Sequence, residues 1–449
     1  MFNRERLLDR FVRYAKIDTQ SDASSSTSPS TKKQWVLLNA LVKDLVEAGL
    51  KDAAVDENGY VMATLPTNIP TKHSAFRKTP TIGLLAHVDT YPETSGTDVR
   101  PQLHHNYDGK DLVLAEDASI AIHATDEPKL AACLGMTIIT SNGTTLLGAD
   151  DKAGIAEIIE VLWRLAENPS RLHGPIRVAF TPDEEIGRGS DHFDVKKFGA
   201  AFAYTVDGSG VGEVEDETFC ADSVEVTMLG SDIHPGYAKG KLINAIKVSS
   251  DFISNLPKEL TPEKTSGRDG FIHPIEITGN VSRINAKFLV RDFSEKGLKT
   301  LETILETTAH ATKLRYPDSH IEIDIVSSYR NMRQVIDDHQ ELVDYAEEAI
   351  RRTGLIPKRA AVRGGTDGAK LSFMGLPTPN LSNGSMNFHS KKEWIPLEWM
   401  EKSVETILHL LDVWVEQSTI SGPEAEMDYE RGESSNATSL RILDRKNHS

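Results

Sequence analysis

The feature that most restricts the fold is a phrase repeated along the chain, an apolar run that stops at ionisable residues. Residues 81–86 run into His87-Val88-Asp89, residues 176–180 into Thr181-Pro182-Asp183-Glu184-Glu185, and residues 201–206 into Asp207-Gly208. Nearly continuous apolar runs suit strands buried on both faces of a parallel or mixed sheet. Helical periods over residues 33–48 and 155–166 alternate with them, which predicts an α/β layer architecture with a mixed central sheet flanked by helices. In open α/β sheets ligands collect at the carboxyl ends of strands, so residues distant in sequence can converge there.

The pattern changes near Phe219. Strand 224–229, helix 242–256, a strand pair at 275–279 and 286–290, helix 295–309 and strand 321–326 follow in order. This is the β-α-β-β-α-β order of ferredoxin-like units. It predicts a compact domain, 219–330, inserted into a larger one formed by 1–218 with 331–417. Residues 91–136 read as a long irregular region, as expected of a functional loop or an elaborated insertion. A glycine-rich turn, Arg363-Gly364-Gly365-Thr366-Asp367-Gly368, precedes a short helix, and 397–415 reads as the last helix. From 418 to 449 the chain is rich in Ser, Glu and Asn and reads as a flexible tail.

Composition removes several function classes. The formal net charge of -17 argues against a nucleic-acid binder, which carries a basic patch. No apolar run approaches the ~18 residues of a membrane span. Cys133 and Cys220 are the two cysteines, too few for a disulfide framework or a thiolate zinc site, and a reducing cytoplasm is expected. Glu5 and Asp9 among the N-terminal arginines favour a folded first helix over a transit peptide, since such peptides are poor in acidic residues.

The ionisable residues just past strands are His87, Asp89, Asp150, Glu184, Glu185, Asp207 and His389. Singly, each has an ordinary explanation. Asp-Glu-Glu is an acidic loop, Asp150-Asp151 a helix cap, and Asp207-Gly208 a turn. Together they form a set of imidazoles and carboxylates without thiolates, which suits a catalytic divalent ion rather than a structural zinc site. One carboxylate shared between two ions, each also held by a histidine, would make a two-metal site.

The stretches Ala86-His87-Val88-Asp89, Leu146-Leu147-Gly148-Ala149-Asp150-Asp151-Lys152-Ala153-Gly154, Arg177 through Glu185, Tyr204-Thr205-Val206-Asp207-Gly208, His234-Pro235-Gly236, Arg291-Asp292-Phe293 and Arg363 through Ala369 resemble the peptidase T family. That family is the tripeptide aminopeptidase branch of the dinuclear zinc exopeptidases. The similarity runs from about Arg4 to Val415. It implies two Zn2+ per chain, one on His87, Asp150 and Asp207 and the other on Asp150, Glu185 and His389. It further implies Glu184 as general base, Asp89 as partner of the His87 ring, and His234 as an oxyanion group often supplied by a dimer partner. Arg291 and Arg363 would hold the peptide carboxylate, and Asn387 would contact the substrate backbone. A small peptide is the implied substrate, with a homodimer as the implied assembly.

Two places depart from the pattern. Tyr237 follows His234-Pro235-Gly236 where a smaller residue is expected, and residues 381–386 lack the expected glycine- and aromatic-bearing loop. Both leave substrate preference open. A dinuclear-zinc dipeptidase or an N-acyl-amino-acid amidohydrolase would use the same site, and a non-catalytic peptide-binding relative would keep the fold without the reaction.

Overall fold

The computed structural model describes residues 3–116 and 119–420. An eight-stranded mixed sheet forms its centre, in the order Ala54–Val55, Val61–Leu65, Ile176–Thr181, Ile82–His87, Phe202–Gly208, Asn380–Ser382, Glu213–Thr218, Lys358–Val362. The three strands that end in candidate site residues lie side by side and parallel, with His87 level with Thr181. Their apolar runs have a common cause. One face is covered by the helices Arg4–Ala15, Ala149–Glu167 and Leu397–Ile420, which share a core with Leu84, Val178 and Tyr204. The other face packs Leu85, Ala179 and Ala203 against Phe193, Phe198 and Leu376.

The helix Ala149–Glu167 crosses very close to the strand Phe202–Gly208. A Cβ on Gly154 would stand 2.0 Å from the Val206 carbonyl oxygen, so no larger residue fits without moving helix from strand. Further along, Glu160 is fully buried in the same helix. It accepts hydrogen bonds from Arg6 (2.9 Å) and Arg10 (2.9 Å) of the first helix and from Arg164 (3.1 Å). Burial opposes its charge, but the three guanidinium groups outweigh that and hold its carboxyl below the ordinary value.

A separate antiparallel sheet has the order Phe271–Gly279, Arg283–Asp292, Cys220–Leu229, His320–Tyr329. With the helices Ala245–Ser254 and Glu295–Arg315 packed on it, the order along the chain is the expected β-α-β-β-α-β. Chain passes between the two sheets at 218–220 and again at 329–332, and these crossings bind each other. The Thr218 N–H donates to Asn331 Oδ1 (3.1 Å), and the Met332 N–H to Thr218 Oγ1 (3.1 Å).

Some expectations move. The region 91–136 contains short strands, Gln102–His104, Leu112–Val113 and Ala121–Ile122, and a turn of helix at Pro128–Ala131. Asp207 lies inside its strand rather than beyond it. The last helix continues through Ile420, so 418–420 are helical, and the remainder of the expected tail, 421–449, lies outside the described residues.

Candidate metal centre

The sheet gathers five of the candidate groups at the carboxyl ends of its three central parallel strands. His87 ends its strand with its ring buried. Asp207 comes from the neighbouring strand, its Oδ1 3.6 Å from His87 Nε2. On the other side the chain leaves the strand Ile176–Thr181 through Asp183, in the left-handed region at φ +60°, and turns into a single 3-10 turn, Glu184–Ile186. The carboxylate of Asp89 fixes that turn by accepting the Glu184 N–H (2.9 Å) and the Glu185 N–H (3.1 Å). His87 Nδ1 lies 3.0 Å from the Asp89 carbonyl oxygen and 3.3 Å from its Oδ1. Asp89 therefore faces both the histidine and the paired glutamates.

Loops complete the cluster. Asp150 stands at the start of helix Ala149–Glu167 with non-helical backbone. Its Oδ1 is 2.9 Å from His87 Nε2 and its Oδ2 3.2 Å from His389 Nε2, so one carboxylate spans the two imidazoles. His389 Nε2 is also 2.7 Å from Glu185 Oε2. Two groups of ligand atoms lie close enough to share an ion: His87, Asp150 and Glu185 in one, His87, Asp151 and Asp207 in the other. Asp151 belongs to the second group and is also held by hydrogen bonds. Its oxygens already accept from the His87 N–H (3.3 Å), the Gly154 N–H (3.2 Å) and Asn383 Nδ2 (2.8 Å). It reads as a brace for the strand end and helix start.

The electrostatics call for a cation. Burial pushes the carboxyls of Glu184, Glu185 and Asp207 upward, and neighbouring carboxylates of like charge add to the shift. Burial also disfavours charge on His87 and His389, yet the surrounding carboxylates hold both imidazoles well above their ordinary range. For Asp150, contact with the two imidazoles outweighs burial and keeps its carboxyl low. Glu185 Oε1 is buried without a hydrogen-bond partner, a costly state for a carboxylate oxygen unless an ion takes it. The donor set and this orphaned oxygen fit a divalent metal.

Four sequence-predicted residues make their hydrogen bonds with groups outside the cluster. His234 is exposed on the smaller sheet's side, accepting the Gly236 N–H through Nδ1 (3.1 Å). Arg291 donates to the carbonyls of Asp222 and Val290 (3.0 Å each), its guanidinium over the Tyr329 ring. Arg363 donates to the carbonyls of Gly267 (2.8 Å) and Asp269 (3.0 Å) and to Thr265 Oγ1 (3.0 Å). Asn387 donates to Glu127 Oε1 (2.8 Å).

Sequence reasoning missed the supports. Glu393 is buried and accepts three backbone N–H groups, from Leu147 (2.7 Å), Gly148 (2.7 Å) and Asp150 (3.0 Å). Asp183, left without a role by the sequence, accepts from the Ser30 N–H (2.7 Å) and Gln34 Nε2 (2.7 Å). A carboxylate four residues past a histidine has no sequence signal for such work, because its partners lie over 240 positions away.

The model of peptidase family M20/M25/M40 matches residues 146–413. A protein named Peptidase T from Geobacillus thermodenitrificans is 47% identical over 416 residues, which cover 93% of this chain and all of that one. The chain belongs to peptidase family M20, within its peptidase T group. The Peptidase T of Clostridium acetobutylicum is 46% identical over 92% of this chain and its own full length. Among solved structures, a tripeptidase from Staphylococcus aureus has TM-score 0.71 at 22% identity, covering 93% of this chain and 100% of that one. Aminopeptidase PepT from Bacillus cereus has TM-score 0.69 at 22% identity, covering 92% and 99%. A Bacillus subtilis protein described as a dinuclear metal binding peptidase of the M20 family has TM-score 0.59 at 15% identity, covering 92% and 98%. These likenesses agree on the fold. As a member of the peptidase T group the chain is a hydrolase, a metallopeptidase of the tripeptide aminopeptidase kind. Among the described residues no helix is long and apolar enough to cross a membrane.

Proposed function

We propose that the chain is a zinc-dependent aminopeptidase that releases the N-terminal residue of tripeptides, with Glu184 as the general base. The observation that carries the reading is Asp150, whose two oxygens face His87 and His389 separately. Two Zn2+ per chain are assigned, one to His87, Asp150 and Asp207 and one to Asp150, Glu185 and His389. Bound zinc supplies Lewis acidity, polarising the scissile carbonyl and lowering the pKa of water.

The chain's own residues handle the proton and the pose. Glu184 takes a proton from the attacking water and returns it to the leaving amine. Asp89 keeps Glu184 and Glu185 on their turn and faces the His87 ring, as carboxylate partners of ligand histidines do. Residues 1–218 with 331–417 are assigned to the chemistry and 219–330 to a lid and dimerisation role. His234, exposed on that unit, is assigned to the oxyanion of a partner's site, which makes a homodimer part of the reading. Arg291, Arg363 and Asn387 are assigned to substrate, which requires the two arginines to exchange carbonyl partners for a peptide carboxylate. Both cysteines are free and buried, which suits a reducing cytoplasm as the location.

The test is hydrolysis of a tripeptide against the matching dipeptide, tetrapeptide and N-acylated tripeptide, with and without chelator. Tripeptide preference abolished by chelation and restored by zinc is expected. Preference for the N-acylated compound, or full activity without metal, overturns the proposal.

A further inference from the structure

Of the groups assigned to metal, His389 has the least support from its own backbone. Its side chain is 42% exposed, it lies on a loop, and its φ of +61° is one that few L residues adopt. Yet its ring stands within 2.7 Å of Glu185 and 3.2 Å of Asp150. Something outside the loop must hold it there.

The segment just after Asp89 supplies two contacts. The ring of Tyr91 stacks on the His389 ring, centroids 4.2 Å apart and planes within 1° of parallel. Thr94 Oγ1 donates to the His389 carbonyl oxygen (2.7 Å). The segment is braced in turn from the Ser-rich loop near the N-terminus. The amide of Gln20 donates to the carbonyls of Thr94 (2.8 Å), Pro92 (3.2 Å) and Tyr91 (3.4 Å). The Ser21 N–H donates to the Thr90 carbonyl (3.2 Å).

We propose that Tyr91 is the positioning residue for His389, its ring face fixing the plane of the imidazole, with Gln20 as the brace that holds Tyr91 in place. A stacked ring limits rotation of the imidazole about its side-chain bonds without using either ring nitrogen. Nε2 therefore stays aimed at the space between Asp150 and Glu185. The proposal rests on the assignment of His389 as a metal ligand. It gives Gln20 and its loop a place in the site.

The test is zinc titration of the full-length apo-protein, read by calorimetry with a competing chelator. Two ions are expected for the unaltered chain, and His389→Ala should lose one. If the unaltered chain binds fewer than two, or His389→Ala still binds two, the ligand assignment itself fails. With those controls met, Tyr91→Ala should weaken the second ion by about 10-fold to 100-fold and leave the first unchanged, the range seen when partners of ligands are removed. Tyr91→Phe keeps the flat face and should bind like the unaltered chain. Tyr91→Leu keeps bulk without the face and should follow alanine, and Gln20→Ala should fall between. Second-ion affinity unchanged in Tyr91→Ala and Tyr91→Leu, with both variants folded by circular dichroism, overturns the proposal.

Discussion

His87 and Asp207 on one hand, and Asp150 and His389 on the other, reach the same cluster by different means. The first two stand on adjacent parallel strands, just past the ladder that pairs Leu85 with Thr205. Asp150 and His389 come from loops, and side chains hold them. Glu393 grips the backbone around Asp150, and Tyr91 and Thr94 hold His389. A sheet positions groups through the cooperativity of its whole ladder, whereas a loop needs a dedicated partner for each. Damage to the first kind should affect folding broadly, and damage to the second should affect metal affinity more selectively.

The largest expected effect tests the chemistry on the strand side. Glu184→Gln should reduce tripeptide turnover by about 10²–10⁴-fold, the usual contribution of a general acid–base group. Metal content by atomic absorption should not change. Next, Glu393→Ala strips three N–H groups of their acceptor beside Asp150. A loss of about 3 kcal/mol in urea unfolding is expected, since one unsatisfied buried group costs roughly 1–3. With Asp150 as the proposed shared carboxylate, both ions should bind more weakly. If only the second ion is affected, Asp150 does not bridge.

Acid should loosen the helix behind Asp150. Glu160 has its carboxyl held below the ordinary value when folded, so its ion pairs contribute fully above the unfolded value of about 4.3. That contribution is lost as pH falls through the lower, folded value. Hydrogen exchange along Ala149–Glu167 should therefore rise in that window, and Glu160→Gln should remove the dependence. The smallest effect is expected at Phe388. Its ring lies 6.4 Å from that of His389 and it is 37% exposed. Phe388→Ala should change stability by no more than about 0.5 kcal/mol and leave zinc binding intact, in contrast to Tyr91, which stacks on the imidazole.

The same contrast explains what could be read from the sequence. Strand ends were legible because apolar runs are local, and His87, Asp207 and the paired glutamates fall where those runs stop. The strand Glu213–Thr218 was not legible. Its sequence, Glu-Val-Glu-Asp-Glu-Thr, reads as acidic surface, yet every residue is buried. Glu213, Asp216 and Glu217 are met by Lys129, Lys358, Arg268, Arg333 and Arg359, brought from four other segments of the chain, while Glu215 accepts from Asn380 Nδ2 (3.0 Å). Glu393, Asp183 and Tyr91 were hidden for the same reason. Their roles lie in contacts across long separations, which no local period records. Choosing Asp150 over Asp151 as the shared carboxylate rested on the family pattern, because adjacency in sequence does not separate the two.

The crossings at 218–220 and 329–332 carry a further consequence. Asn331 laces them to each other, so the two sheets share one narrow pivot. Away from it, Arg268 of the smaller unit grips Glu217 with both prongs of its guanidinium, and Arg363 grips residues 265–269 from the opposite direction. Two reciprocal arginine clasps thus join the sheets beside the crossings. Arg268 is 61% exposed, so dissolved salt can compete for its clasp. Higher ionic strength should weaken that clasp while leaving the buried cores of both sheets in place.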